Sequence, residues 1–142
     1  MLYPTSECFP IRYDGSKESL TKTAEIVARQ MEIDFNKINL ETYEQNIQEL
    51  SGDFGHRIWT EVDKDSDEKL AAGLFFAKND QGMYDIFIEK KNLSDPENLV
   101  ATLAHEFSHI KILGEKRLDF NDEQLTDLTP VVFGLGIFNA NS

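Results

Sequence analysis

The amino-acid sequence predicts a single α+β domain in which a small mixed or antiparallel sheet precedes two helices. Residues 70–78 and 83–89 are rich in apolar side chains and are joined by a polar turn, which is typical of a β-hairpin. Residues 94–114 and 121–132 instead repeat apolar side chains every three or four positions, which is typical of amphipathic helices. A chain of 142 residues is long enough for one hydrophobic core but not for two.

The segment before the hairpin predicts one clear helix and several shorter elements. Residues 1–15 are interrupted by prolines and a glycine and are expected to be irregular. Ser16 is suited to cap a helix over residues 17–31, whose predicted buried face consists of Leu20, Ala24, Val27 and Met31. The shorter elements expected after it are a strand over 33–38, a helix over 41–50 and a strand over 56–62.

The hairpin and the helix after it are the best-marked elements. Residues 79–82 have turn-forming side chains, and the apolar run from Leu74 to Phe76 predicts a strand that is buried on both faces. Ser94 is predicted to cap the following helix, with Glu97 completing a capping box, and Gly114 is predicted to end it. The predicted buried face of this helix consists of Leu99, Leu103, Phe107 and Ile110.

This helix contains the sequence HEFSH at residues 105–109, which includes two of the three histidines of the chain. A spacing of four residues is about one helical turn, so His105 and His109 leave the same face and can bind one cation, with Glu106 beside them. The pattern H-E-x-x-H is that of zinc metalloproteases, in which a third protein ligand must come from elsewhere.

The third ligand is predicted on the next helix, which Asn121 or Asp122 can cap. Glu123 and Asp127 are four residues apart and therefore share a face of that helix. Pro130 is predicted to kink or restart the helix just after Asp127, because proline lacks a backbone N–H. Apolar residues with helical spacing are Leu125, Leu128 and Val132; competing third ligands are Asp119, Asp122 and Asp127.

Together, H-E-x-x-H and the following E-x-x-x-D resemble the gluzincin branch of the zincin metallopeptidases over residues 83–135, and the chain also resembles small bacterial H-E-x-x-H proteins. The resemblance implies a zincin-like minimal metallopeptidase domain that binds Zn²⁺ through His105, His109 and Glu123. It further implies that Glu106 is the general base of a hydrolase and that Asp127 orients one histidine. One strand within residues 56–89 would pair with an extended peptide or protein substrate.

Two other functions use the same residues. One is a catalytically inactive, zincin-like interaction domain, and the other is a zinc hydrolase of a non-peptide amide or ester. The stabiliser of the developing oxyanion is not identified, although Tyr84 and His56 have suitable chemistry.

Composition limits the choice of partners. The formal net charge of −12 argues against binding to nucleic acid or to an anionic membrane surface, both of which require a basic patch. A single cysteine, Cys8, allows no intramolecular disulfide, and no signal peptide or membrane span is recognised, so a cytoplasmic location is expected. The apolar segment 131–138 lies close to the last residue, which favours the interpretation that the chain is a fragment of a longer protein.

Overall fold

The computed structural model describes residues 1–44, 73–76 and 79–141, and within them it shows the predicted α+β combination of helices and a small sheet. The elements in chain order are helix α1 (Lys17–Gln30), a 3₁₀ turn (Phe35–Lys37), strands β1 (Ile38–Tyr43), β2 (Gly73–Phe76) and β3 (Tyr84–Glu89), a 3₁₀ turn (Lys90–Ser94), helix α2 (Pro96–His109), a π-helical turn (Ile110–Gly114), and helices α3 (Glu123–Val132) and α4 (Gly136–Asn141).

The sheet is mixed and has the strand order β1-β3-β2. Strand β3 pairs in parallel with β1, so that Tyr43 lies opposite Glu89, and antiparallel with β2, so that Gly73 lies opposite Ile88. The predicted hairpin is therefore confirmed for β2 and β3. Its turn is closed by the backbone N–H of Asn79, which donates to the carbonyl of Met83 at 2.8 Å.

Two of the predicted short elements are wrong. Residues 33–38 form no strand before Ile38; a 3₁₀ turn occupies 35–37, and the Asp34 carboxylate caps it by accepting from the Asn36 N–H at 3.1 Å. Residues 41–43, predicted as part of a helix, belong to β1, because they pair with the end of β3 and tertiary pairing overrides local helical spacing. Residues 45–50, the predicted strand 56–62 and His56 lie outside the described residues.

The prediction for α1 is confirmed. The Ser16 hydroxyl accepts a hydrogen bond from the Ser19 N–H at 3.2 Å, which satisfies one of the free donors at the start of the helix. All four residues of its predicted face are buried, and they join a core formed with β3 and α2. The core residues contributed by α2 and the turn after it include the predicted Leu99, Leu103, Phe107 and Ile110.

Helix α2 begins one residue later than predicted. Asp95, and not Ser94, is the N-cap: its carboxylate accepts from the N–H groups of Glu97 and Asn98, both at 3.1 Å. Ser94 instead ends the preceding 3₁₀ turn, where its hydroxyl donates to the Lys91 carbonyl. A carboxylate at this position also interacts favourably with the helix dipole, so Asp95 is the better cap of the two.

Gly114 ends the helical run, as predicted, after one π-helical turn. A Cβ at this position would lie 2.7 Å from the Tyr84 ring, so the close packing of that ring requires a glycine here. None of the helices in the described part of the chain is both long and apolar enough to span a bilayer.

Candidate metal centre

The H-E-x-x-H residues lie at the end of helix α2, and they are buried to different extents. His109 is only 2% exposed and Glu106 only 4%, whereas the His105 side chain retains 30% of its exposure. The two imidazole rings stand almost perpendicular, at 86°, with their centroids 5.1 Å apart. One histidine is thus anchored in the protein interior, and the other lies at the edge of solvent.

Helix α3 begins at Glu123 because Asp122 caps it, its carboxylate accepting from the Leu125 N–H at 3.0 Å. The predicted restart of the helix at Pro130 is wrong, because the helix continues to Val132 with Pro130 buried within it; the alternative, a kink, stays a prediction. A proline costs the helix one hydrogen bond but can be retained where tertiary packing holds the chain in helical geometry. The side chains of Leu125, Leu128 and Val132 face solvent rather than the core.

The two helices bring three donors together. Ligand atoms of His105, His109 and Glu123 all lie within 4.8 Å of one another, and Glu123 Oε2 is 3.5 Å from His105 Nε2. Such a group can hold a metal ion. Two imidazoles and one carboxylate are also a ligand set found in catalytic zinc sites, which keep a further position open. Among the described residues, Asp119 and Asp122 do not belong to this group.

Asp127 lies on the other side of the His105 ring, where its Oδ1 is 3.0 Å from Nδ1. When Nδ1 carries the proton and donates it to this carboxylate, the lone pair of Nε2 is directed to the side on which Glu123 lies. Asp127 is itself held in place, because the Asn139 side-chain amide donates to its backbone carbonyl at 3.0 Å. The predicted contact between Asp127 and a histidine is therefore present, and the histidine is His105.

Burial sets the protonation of Glu106. Desolvation, and secondly the negative charge of Glu123, raises the pKa of its carboxyl group from 4.5 to about 8. Its Oε2 atom is buried and accepts no hydrogen bond from the residues that the structure describes. An unsatisfied buried carboxyl oxygen is costly, and it fits a site at which a cation or a water molecule completes the environment.

The pKa of His109 is lowered from its usual value, chiefly by burial and secondly by the proximity of His105. The neutral imidazole is therefore favoured, and this is the form that binds metal ions. The raised pKa of Glu106 and the lowered pKa of His109 have the same main cause, the burial of these residues at the end of α2.

Tyr43 is a neighbour of the site that the sequence did not identify. It is buried at the end of β1, and its pKa is raised to about 12 by burial and then by the charges of Glu89 and Glu106. Tyr84, in contrast, packs against Gly114, beyond the end of α2, and has Glu115 and Lys37 as charged neighbours. The predicted helix over residues 41–50 gives no reason to place Tyr43 near the H-E-x-x-H motif.

We compared the chain with protein-family models, with curated proteins and with solved structures, and none of them matches it. The class of the site therefore rests on its own residues: two histidines from one helical turn and a carboxylate from the next helix, which together can hold a metal ion.

Proposed function

We propose that this protein is a zinc-dependent peptidase with a zincin-like fold of the gluzincin type. The observation that carries the proposal is the convergence of His105, His109 and Glu123 within 4.8 Å beside the buried Glu106. The donor set suits zinc, and the unsatisfied Glu106 oxygen supplies an acid–base group that a purely structural metal would not need.

His105, His109 and Glu123 would hold the zinc ion. When bound, the ion supplies Lewis acidity, which polarises a carbonyl group and acidifies water. Asp127 would keep the His105 ring in the orientation and tautomer that leave Nε2 free to bind.

Glu106 would accept the proton of the attacking water at a carboxylate oxygen and donate it to the leaving amine. This role requires the ionised form, and a cation held by the adjacent histidines favours it by lowering the pKa of the carboxyl group. A substrate peptide would pair with a strand edge. Within the described sheet, β1 and β2 are the outer strands, and β2 lies in the predicted segment.

The proposal is tested with Glu106→Gln, which preserves the shape of the side chain but removes the base. We expect this variant to retain one zinc ion per chain and to lose cleavage of a peptide library, whereas the control Glu97→Gln, in the exposed first turn of the same helix, cleaves normally. Zinc content is measured by elemental analysis, and it should fall sharply in His105→Ala and Glu123→Ala. Undiminished cleavage by Glu106→Gln would refute the role of Glu106.

A protein that binds zinc but cleaves no peptide, ester or amide would instead support a non-hydrolytic metal-binding domain. Cleavage of esters or non-peptide amides alone would support the third function considered from the sequence.

A further inference from the structure

An open cavity of about 390 Å³ adjoins the candidate metal centre on the side of His105 that faces Asp127. It lies where helices α2, α3 and α4 meet. Its lining residues are Asn98, Ala101, Thr102, His105, Asp127 and Asn139. A volume of this size is at the lower end of the range for small-molecule sites, so it suits one side chain or a comparable group.

Thr102 indicates that the cavity is a binding site. The residue is only 7% exposed, and its hydroxyl forms no hydrogen bond with the residues that the structure describes. Helical threonines usually donate to the carbonyl four residues earlier, as Thr126 and Thr129 do here, both at 2.8 Å. The Thr102 hydroxyl lines the cavity and keeps its donor and acceptor positions available to a group that enters it.

The charge of the surrounding helices indicates which partner this is. Helices α2, α3 and α4 contain no lysine or arginine, but they contain three exposed acidic residues, Glu97, Glu123 and Asp127. A fourth, Glu106, is buried, and its carboxyl group is held close to neutrality in the metal-free protein. The Asp127 carboxylate itself lines the cavity, and only one of its two oxygens faces His105 Nδ1. The potential in the cavity therefore favours a positive group and disfavours an anion.

We propose that this cavity binds the cationic nitrogen group of the substrate, an ammonium or a guanidinium, next to the bond that is cleaved. This inference rests on the proposed function for its link to catalysis, but the binding site itself does not. Asp127 would balance the charge, and the Thr102 hydroxyl would accept one N–H bond. The side-chain carbonyl of Asn98 would accept another, since ammonium and guanidinium groups are donors only.

Binding is tested on the full metal-free chain by NMR titration. The probes are n-butylammonium and n-butylguanidinium, which represent basic side chains, glycinamide, which represents a peptide N-terminus, and the neutral 1-butanol. We expect at least one cation to shift the resonances of Thr102 and of the Asn98 and Asn139 side-chain amides, and 1-butanol to shift none. The cation that binds best identifies the source of the group. Equal binding of 1-butanol, or no cation binding at these residues, overturns the proposal.

Two variants sharpen the test. Thr102→Val keeps the volume of the side chain and removes a hydroxyl that makes no hydrogen bond with the described residues. It should weaken cation binding roughly tenfold without lowering the melting temperature. Asn98→Lys places a cation in the cavity and should abolish binding, whereas Gln81→Lys, with the same charge change in the exposed hairpin turn, should not. Unchanged affinity in Thr102→Val and Asn98→Lys contradicts the assignment.

Cleavage assays separate the two proposals. The zinc-loaded protein is given three classes of peptide, and its cleavage rates are compared. The classes are peptides with a blocked N-terminus and one lysine or arginine, peptides with a free N-terminus and neutral side chains, and blocked neutral peptides. Cleavage of all three classes at similar rates would overturn the placement of the cation site next to the cleaved bond and leave the peptidase standing. Cation binding without any hydrolysis would refute the peptidase and support the site.

Discussion

Glu106 and His109 are both buried in the last turn of α2, and burial opposes the charged form of each. For the acid this means a raised pKa, and for the base a lowered one. In the metal-free protein both side chains are therefore held closer to neutrality than they would be in water. Their effects on stability have opposite dependence on pH.

Glu106 makes the metal-free protein less stable as the pH rises. Its pKa is about 8 in the folded protein against the ordinary value of 4.5, so the folded state binds the proton more tightly. The resulting contribution is fully present below pH 4.5 and is lost as the pH rises through about 8. At about 1.4 kcal/mol per pKa unit, the loss is several kcal/mol.

His109 acts in the acidic range, because its contribution is present above pH 6.5 and is lost as the pH falls. Between pH 6.5 and 8 the contribution of Glu106 therefore changes while that of His109 does not. Urea unfolding with a chelator present should show a free energy of unfolding that decreases across this window in the wild type and stays level in Glu106→Gln. Parallel slopes in the two proteins would show that Glu106 is not protonated in the folded state.

Asp127→Asn tests the orientation of His105. The asparagine amide can donate to Nδ1 and so favour the tautomer that carries its proton on Nε2, the nitrogen expected to bind the metal. We expect zinc affinity to fall by about 10–100-fold, measured by competition with a chelator. The matched control is Asp122→Asn, which removes the same charge but keeps a good helix cap, and its zinc affinity should be unchanged.

At the scale of the element, the start of α2 depends on one side chain. Asp95→Ala removes the carboxylate that accepts from two backbone N–H groups, and it should lower the free energy of unfolding by about 1 kcal/mol. Ser94→Ala should change it by less than about 0.5 kcal/mol, because Ser94 is exposed and does not cap the helix. Urea unfolding measures both free energies. A larger loss of stability in Ser94→Ala than in Asp95→Ala would support Ser94 as the N-cap, as the sequence predicted.

Elements defined by local signals were predictable, and those defined by distant pairing were not. The Ser16 cap, the turn at residues 79–82 and the apolar repeat of α2 all act within a few positions of the chain. Strand β1 was missed because residues 41–43 become a strand through pairing with residues 87–89, more than forty positions away. The continuation of α3 past Pro130 was not predictable for a related reason, since the burial of Pro130 against the rest of the protein is not visible in the local pattern.

At the scale of the whole molecule, the residues of the candidate site were predictable because each motif falls on one helix. His105, Glu106 and His109 are fixed by one turn of α2, and Glu123 and Asp127 by one turn of α3. The sequence could not show that Tyr43 approaches Glu106, or that a cavity opens beside Asp127, since both depend on how separate elements pack. The zinc ion and the hydrolytic activity stay predictions.

The two helices of the site are attached to the protein very differently. Helix α2 lies in the core, whereas only Thr126 and Pro130 of the ten residues of α3 are buried, and Leu128 and Val132 are 59% and 81% exposed. Few buried contacts imply that α3 can detach locally without global unfolding. In the metal-free protein its amide hydrogens should therefore exchange with solvent much faster than those of α2.

Zinc should slow amide exchange in α3, because the ion joins Glu123 to two histidines of the core helix. Hydrogen–deuterium exchange with mass spectrometry measures this directly, with α2 as the internal reference and Glu123→Gln as the variant in which zinc gives no protection. Protection of metal-free α3 equal to that of α2 would contradict the expectation. If zinc does slow the exchange, the ion stabilises the attachment of α3 in addition to its chemical role. A chelator would then release an entire helix, together with its outward-facing leucines and valines, from the rest of the protein.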